Sequence, residues 1–191
     1  MPRDPYRDFA ARYNWMKTSD PNRERFFRDL FRERGVERVL DCACGTGADL
    51  LLFHSLGCSV YGSDLSPAML AEARKTLAQA RVDVPLFRID YRELSRRFGP
   101  EFDAVVCMSN AINEPLRDVQ TLRALRSMRS VLREGGVLVF DQGQTDAMMM
   151  RRQQFYPVVN DRDHSRLFIV DIVRRVMRVD VFDFTHTSSV S

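Results

Sequence analysis

Two carboxylates and two glycines carry the first chemical signal in this chain. Asp41 precedes Gly45 and Gly47 within Arg38-Val39-Leu40-Asp41-Cys42-Ala43-Cys44-Gly45-Thr46-Gly47. A second acid, Asp64, closes Val60-Tyr61-Gly62-Ser63-Asp64. A buried strand, a glycine-bearing turn, a helix and a second strand ending in a carboxylate suit a ligand that contains a nucleoside. Glycines let backbone pass where a Cβ would collide. A helix opening at Ala48 presents free N–H groups and its positive end to such a ligand. A carboxylate at the tip of the second strand can accept hydrogen bonds from two ribose hydroxyls.

The spelling of the turn narrows the ligand. A dinucleotide turn places its glycines as G-x-G-x-x-G against a pyrophosphate. Here those positions hold Ala43, Gly45 and Ala48, with a further glycine at Gly47. Asp41 would repel a pyrophosphate and suits a ligand that carries a cation. This disfavours a nicotinamide dehydrogenase. S-adenosylmethionine has an ammonium, a sulfonium and no phosphate.

The elements that must position these groups follow from periodicity and punctuation. Asp20-Pro21 predicts a helix start, Phe26, Phe27, Leu30 and Phe31 recur at helical spacing, and Gly35 closes the helix. Strands are expected at about 38–42, 59–63, 85–89, 102–108 and 137–140, the last entered through Gly135-Gly136. Helices are expected at about 48–56, from Ser66-Pro67 onward with Met69, Leu70, Ala73 and Leu77, and at 119–132. This alternation predicts an α/β fold, a doubly wound, mostly parallel Rossmann-like sheet. Asp41, Asp64, Asp90, Asn110 and Asp141 then fall near the carboxyl ends of the strands, where such sheets bind ligands. Beyond them, 148–152 reads as a short helix. Residues 167–173 and 177–184 read as an antiparallel hairpin turning at Arg174-Arg175. The expected division is an arm and helix over 1–35, a core over 36–146 and a hairpin extension over 147–191, one domain overall.

These motifs in this order resemble the class I S-adenosylmethionine-dependent methyltransferases, whose first motif is acidic-x-x-x-Gly-x-Gly. The resemblance runs over about residues 6–186. It is nearest to the small-molecule N-methyltransferases related to glycine N-methyltransferase and to the amino-sugar dimethyltransferases. Ala43-Cys44-Gly45-Thr46-Gly47, Tyr13 in the arm, Met108-Ser109-Asn110 and the terminal hairpin carry that part. The resemblance implies S-adenosylmethionine as cofactor. Tyr13 would reach it from the arm, Ala43 and Gly45 would line its methionine part, and Asp64 would hold the ribose. Asp90 would contact the adenine amino group with Tyr91 beside it, and Met69 and Met108 would edge the adenine. Asp41, Gly47 and Leu65 complete the expected cofactor set. The spacing of both methionines fits core packing equally well, and Asp141 reads as structural as readily as functional. For methyl transfer to an amine nitrogen of a small molecule, Asn110 is expected to orient the acceptor, and Glu114 or Tyr156 to assist.

Two departures bear on that expectation. Glycine N-methyltransferases carry an arginine just after the strand-five acid, and alignment on Asp141 places Gly143 there. Glycine and sarcosine are therefore disfavoured, since nothing replaces that fork of donors. The usual last helix and strands are also missing, which predicts either a truncated form of a longer enzyme or a homo-oligomer that covers the edge of the sheet. The rivals are a non-catalytic cofactor-binding module and a nucleic-acid methyltransferase. Against the latter, Asn110-Ala111-Ile112-Asn113 lacks the Asn/Asp-Pro-Pro-aromatic clamp.

Composition is compatible with all of this. Of 191 residues 45% are hydrophobic and 29% charged, as in a globular domain with a sizeable core. The net charge of +3 is small and spread out. Arg126, Arg129 and Arg133 read as one solvated helix face, so nucleic acid is not the expected partner. No apolar run is long enough for a membrane span and the first residues are polar, giving a cytoplasmic expectation. The four cysteines fit no zinc spacing and read as buried, reduced thiols, so no metal is expected.

Overall fold

In a computed structural model, which describes residues 4–14, 20–114, 117–143, 155–173 and 176–186, local capping rules set where the helices begin and end. A short helix, α1 (Ala10–Tyr13), lies in the arm. Helix α2 (Pro21–Arg34) starts after Asp20, whose carboxylate accepts the Asn22 N–H at 2.9 Å, and stops at Gly35 with φ 57°. Helix α3 (Ala48–Ser55) follows the glycine turn. Helix α4 (Pro67–Ala80) is capped by Ser66, whose Oγ accepts the Met69 N–H at 3.1 Å. Such a cap contributes about 1 kcal/mol. Helix α5 (Asp118–Val131) completes this set.

Five strands alternate with these helices: β1 (Arg38–Asp41), β2 (Ser59–Asp64), β3 (Leu86–Arg88), β4 (Phe102–Cys107) and β5 (Leu132–Phe140). All pair in parallel, in the order β3-β2-β1-β4-β5. The expected doubly wound, Rossmann-like sheet is therefore present. Side chains alternate between its faces. Val39, Ala104 and Val106 pack with Phe27, Phe31, Leu50 and Phe53 on one side. Leu40, Val105 and Cys107 pack with Leu94, Ala124 and Met128 on the other. Val39, Leu40, Val105 and Val106 are fully buried, and each such burial stabilises the fold by roughly 1.5–3 kcal/mol.

Strand five departs from the sequence reading. It begins at Leu132, which pairs with Phe102, and the register then jumps to Ala104 opposite Val137. The bulge contains Gly135 at φ 74° and Gly136, where a Cβ would lie 3.1 Å from the Asp103 carbonyl oxygen. Arg133 consequently leaves the helix and pairs with Asp103, while Arg126 and Arg129 stay exposed on α5. Asp103 also accepts the N–H groups of Glu37 and Arg38 at 2.8 and 2.7 Å, fastening the start of β1 to β4.

The described residues divide into two compact units, the second beginning at Gly143. That second unit is an antiparallel sheet of three strands rather than the expected hairpin: β6 (Phe155–Asn160), β7 (His164–Val173) and β8 (Val176–Thr185), in that order. The two expected strands are β7 and β8. The additional strand β6 contains Pro157, which argues against a strand in a sequence reading; it lies on an edge, and the register shifts between Pro157 and Val159. Arg166 and Asp183, opposite one another on β7 and β8, form a buried two-pronged ion pair at 2.6 and 3.0 Å. The expected short helix at 148–152 and the Arg174-Arg175 turn lie outside the described residues. No helix among the described residues is long and apolar enough to cross a membrane.

Candidate functional site

The strand order reverses between β1 and β4, and in open parallel sheets ligands bind outside the carboxyl ends at that point. The turn from β1 into α3 stands there. The Cys44 N–H donates to the Ser63 carbonyl and the Gly47 N–H to the Cys44 carbonyl, both at 2.9 Å. The Gly45 N–H donates to Asp64 Oδ2 at 2.9 Å, and the Ser66 N–H to Asp64 Oδ1 at 2.8 Å. Asp64 thus ties the turn after β1 to the loop after β2, with acceptor capacity left for a ligand hydroxyl. Gly45 and Gly47 both have positive φ, 52° and 87°. A Cβ on Gly47 would lie 3.3 Å from Ala73 Cα, so this glycine lets α4 approach. A Cβ on Gly45 would meet no protein atom within 4 Å. Open space beside a backbone N–H and a carboxylate is what a ligand needs.

The arm is bonded to the loops around this turn. Asp4 Oδ2 accepts the Ser66 hydroxyl at 2.8 Å and the Ala68 N–H at 3.4 Å. Thr46 Oγ1 donates to Asn14 Oδ1 at 2.5 Å. The Tyr6 hydroxyl donates to Glu114 Oε1 at 2.8 Å. Tyr13, expected at the cofactor, stacks edge-on against Tyr6 and Phe9 and shares a hydrogen bond with Ser109. Three loops, after β1, β2 and β4, are therefore joined by one short segment.

The loop after β4 holds two consecutive non-glycine residues in the left-handed region, Ser109 at φ 61° and Asn110 at φ 62°. Their N–H groups donate to the Asp141 carboxylate at 3.0 and 2.7 Å. Asp141, at the end of β5, therefore shapes the backbone that presents Asn110. Sparsely populated backbone of this kind concentrates at ligand sites.

The remaining candidates divide. Asp41 is buried at the end of β1 and accepts the Ala43 N–H at 3.2 Å. Leu65, beside Asp64, is 54% exposed and offers an apolar surface. Met69 is 3% exposed and offers almost none, and Met108 is half-buried against the core, so packing accounts for both. Asp90 caps a 3-10 turn over Tyr91–Arg96 and is gripped by Arg92, through its N–H at 2.8 Å and its guanidinium. Those four contacts match the roughly four acceptor sites of a carboxylate. The Tyr91 hydroxyl donates to the Ala111 carbonyl at 3.0 Å, joining this turn to the Asn110 loop. Tyr156 lies in the other unit, on β6 opposite Phe168.

Several carboxylates gather at these loops, with Arg92 paired to Asp90. Burial pushes the Asp64 carboxyl upward, the backbone donors oppose this, and Asp4 adds to it, leaving a net rise. Desolvation likewise raises Glu114; the Tyr6 hydroxyl pulls it down, while Asp64 and Asp90 push it up again, with a net rise. Asp90 is raised by burial but more than compensated by Arg92, ending low. A cation placed among Asp64, Glu114 and Asp4 would relieve this repulsion. Among the described residues, no group of three or more His, Cys, Asp or Glu is placed to hold a metal ion, and Cys42, Cys44, Cys58 and Cys107 are buried free thiols.

Sequence reasoning missed Asp4, Tyr6, Ser109 and Arg92 as parts of this site. The Tyr6, Phe9, Tyr13 spacing gave a signal, since about one helical turn separates successive rings, and Ser109 lay inside the quoted Met108-Ser109-Asn110 stretch.

Comparison with known proteins agrees with this architecture. A family model described as methyltransferase domain matches residues 39–136. The chain is 30% identical over 146 residues to the glycine/sarcosine N-methyltransferase of Parasynechococcus marenigrum (strain WH8102), covering 74% of this chain and 51% of that protein. The chain spans about half the length of the curated relatives it matches. In fold it is similar to an S-adenosylmethionine-dependent methyltransferase from Clostridium acetobutylicum ATCC 824, with a TM-score of 0.75, 20% identity and coverage of 95% of this chain and 80% of that one. It is also similar to the SAM-bound amino pentose methyltransferase CalS10 from Micromonospora echinaspora, with a TM-score of 0.74, 26% identity and coverage of 94% and 79%.

Proposed function

This chain belongs to the methyltransferase-domain family, and on that premise we propose that it binds S-adenosylmethionine and directs methyl transfer to an amine nitrogen of a small molecule. One observation carries the reading: Gly45 donates its N–H to Asp64 at 2.9 Å, and the space where its Cβ would stand is open beside that carboxylate. S-adenosylmethionine fits that donor set, with two ribose hydroxyls for Asp64, cationic groups for an acidic surround and no phosphate to be repelled by Asp41. Bound there, it would supply a methyl group already activated on a sulfonium.

The roles of this chain's residues follow. Gly45 and Ala43 offer backbone beside the ligand, Asp41 stands behind the turn, and Gly47 seats α3 against α4. Asp64 takes ribose hydroxyls, and Leu65 gives the base an apolar surface. Tyr13 bounds the site from the arm. Asp90 and Tyr91 shape its rim, where Arg92 already satisfies Asp90. Asn110, held by Asp141, orients the acceptor. Alignment of this kind can lower a barrier by roughly 7–11 kcal/mol. An amine must be neutral to attack, and Glu114 is the carboxylate assigned to take its proton.

An amine acceptor is supported by two of the similar proteins, one named for glycine/sarcosine N-methylation and one for an amino pentose. The charges acting on Glu114 are Asp64, Asp90 and an Arg92 already engaged by Asp90. That surround favours an acceptor without a carboxylate of its own.

Calorimetric titration with S-adenosylmethionine, beside Asp64→Ala, tests the reading. Binding in the micromolar range that is lost in the variant is the expected result. A folded sample that does not bind rules the proposal out, and tight binding with no turnover on a panel of amines would favour a non-catalytic module.

A further inference from the structure

We propose that Tyr6 is a positioning residue for the transfer, its hydroxyl fixing the Glu114 carboxylate as the group that takes the proton from the acceptor amine. This rests on the methyl-transfer reading above. The two residues are 108 positions apart, yet the Tyr6 hydroxyl lies 2.8 Å from Glu114 Oε1. The contact is not a chance touch of a loose end. Asp4 anchors the arm on Ser66 and Ala68, and Asn14 anchors it on Thr46, so Tyr6 is held from both sides. Its ring already has a packing partner in Tyr13, with centroids 6.3 Å apart and planes at 80°. Packing therefore explains the ring and leaves the hydroxyl–carboxylate bond to be explained.

The surroundings show what that bond does. Asp64 from the end of β2 and Asp90 from the end of β3 repel charge on Glu114, while Arg92 favours it. The Tyr13 and Tyr91 hydroxyls also sense Glu114. Arg92 is bound by Asp90, which leaves the Tyr6 hydroxyl, among the described residues, as the group that touches Glu114 directly and favours its ionised form. An ionised Glu114 can accept a proton from a bound alkylammonium. The N–H bond breaks, an O–H bond forms on the carboxylate, and the nitrogen keeps the electron pair that attacks. The proton then passes to solvent. A protonated Glu114 could do none of this.

Tyr6→Phe removes one hydroxyl and keeps the ring. In protein labelled with carbon-13 at the glutamate side-chain carboxyl, Glu114 is assigned by the signal lost in Glu114→Gln. The expected result is a Glu114 titration midpoint about one pH unit higher in Tyr6→Phe than in wild type, with the dissociation constant for S-adenosylmethionine within twofold. On any amine that the wild type methylates, the acid limb of kcat/KM should rise by the same amount, and Tyr6→Phe should have no further effect in a Glu114→Gln background. An unmoved Glu114 midpoint overturns the proposal, and does so whether or not melting temperature falls. A wild type that binds no S-adenosylmethionine defeats the methyl-transfer reading instead and removes the proton's role with it.

Discussion

The N–H of Gly45 reaches across from the turn after β1 to the carboxylate of Asp64 at the tip of β2, at 2.9 Å. The residue proposed to hold a ribose thus also holds the turn after β1. Asp64→Asn keeps one acceptor oxygen and loses the charge. The expected outcome is a loss of S-adenosylmethionine affinity of at least about tenfold, or ~1.4 kcal/mol, together with a stability loss of about 1–3 kcal/mol from weakened backbone bonds. Calorimetry and urea unfolding separate the two effects.

Gly45 and Gly47 should respond differently to alanine. Both residues have positive φ, which costs roughly 1–2 kcal/mol for a residue with a Cβ. At Gly47 the added Cβ also meets Ala73 at 3.3 Å, whereas at Gly45 it enters open space. Gly47→Ala should therefore lower the melting temperature more, and Gly45→Ala should lose more cofactor affinity relative to its loss of stability. The ratio of the two losses, from melting curves and titration, is the measurement.

Asp64 and Glu114 both have carboxyls raised above their ordinary values of 3.8 and 4.5. Between those values and the higher folded ones, the folded state binds more protons than the unfolded state, so stability falls as pH rises through that window. Asp103 is lowered by its backbone donors and Arg133, which outweigh the upward push of burial, so its contribution is lost as pH falls below 3.8. Urea unfolding should thus show stability climbing as pH falls through the raised values of Asp64 and Glu114 toward 4.5, and Glu114→Gln should flatten that climb. Affinity for S-adenosylmethionine should change in the opposite sense, weakening as the same carboxyls protonate.

Asp141 is expected to act on turnover through the backbone it holds. Asp141→Ala frees the N–H groups of Ser109 and Asn110 and should cost about 1–3 kcal/mol of stability. Asn110→Ala should cut kcat far more than cofactor affinity. Equal losses in both quantities for Asn110→Ala would remove its orienting role.

In the second unit, Arg166→Ala would remove the guanidinium that pairs with the buried Asp183 carboxylate and should cost about 3–5 kcal/mol, whereas Arg166→Met with Asp183→Leu should cost much less. Equilibrium unfolding followed by circular dichroism measures both.

The sequence alone determined the parallel sheet, its helices and the positions of Asp41, Gly45, Gly47 and Asp64. These depend on local rules. A buried parallel strand is an apolar run, a cap is one residue before a helix, and a positive φ asks for glycine within the turn itself. Strand β6 escaped because Pro157 argues against a strand, and only pairing with β7 on an edge accommodates it. The tertiary structure alone decided which acids remain available. Asp141 is engaged by the Ser109-Asn110 backbone, 32 and 31 residues away, and Glu114 by a tyrosine 108 residues earlier. Hydrogen bonds between residues far apart leave no periodicity in a sequence, because the partners meet only after the sheet has closed the distance between them.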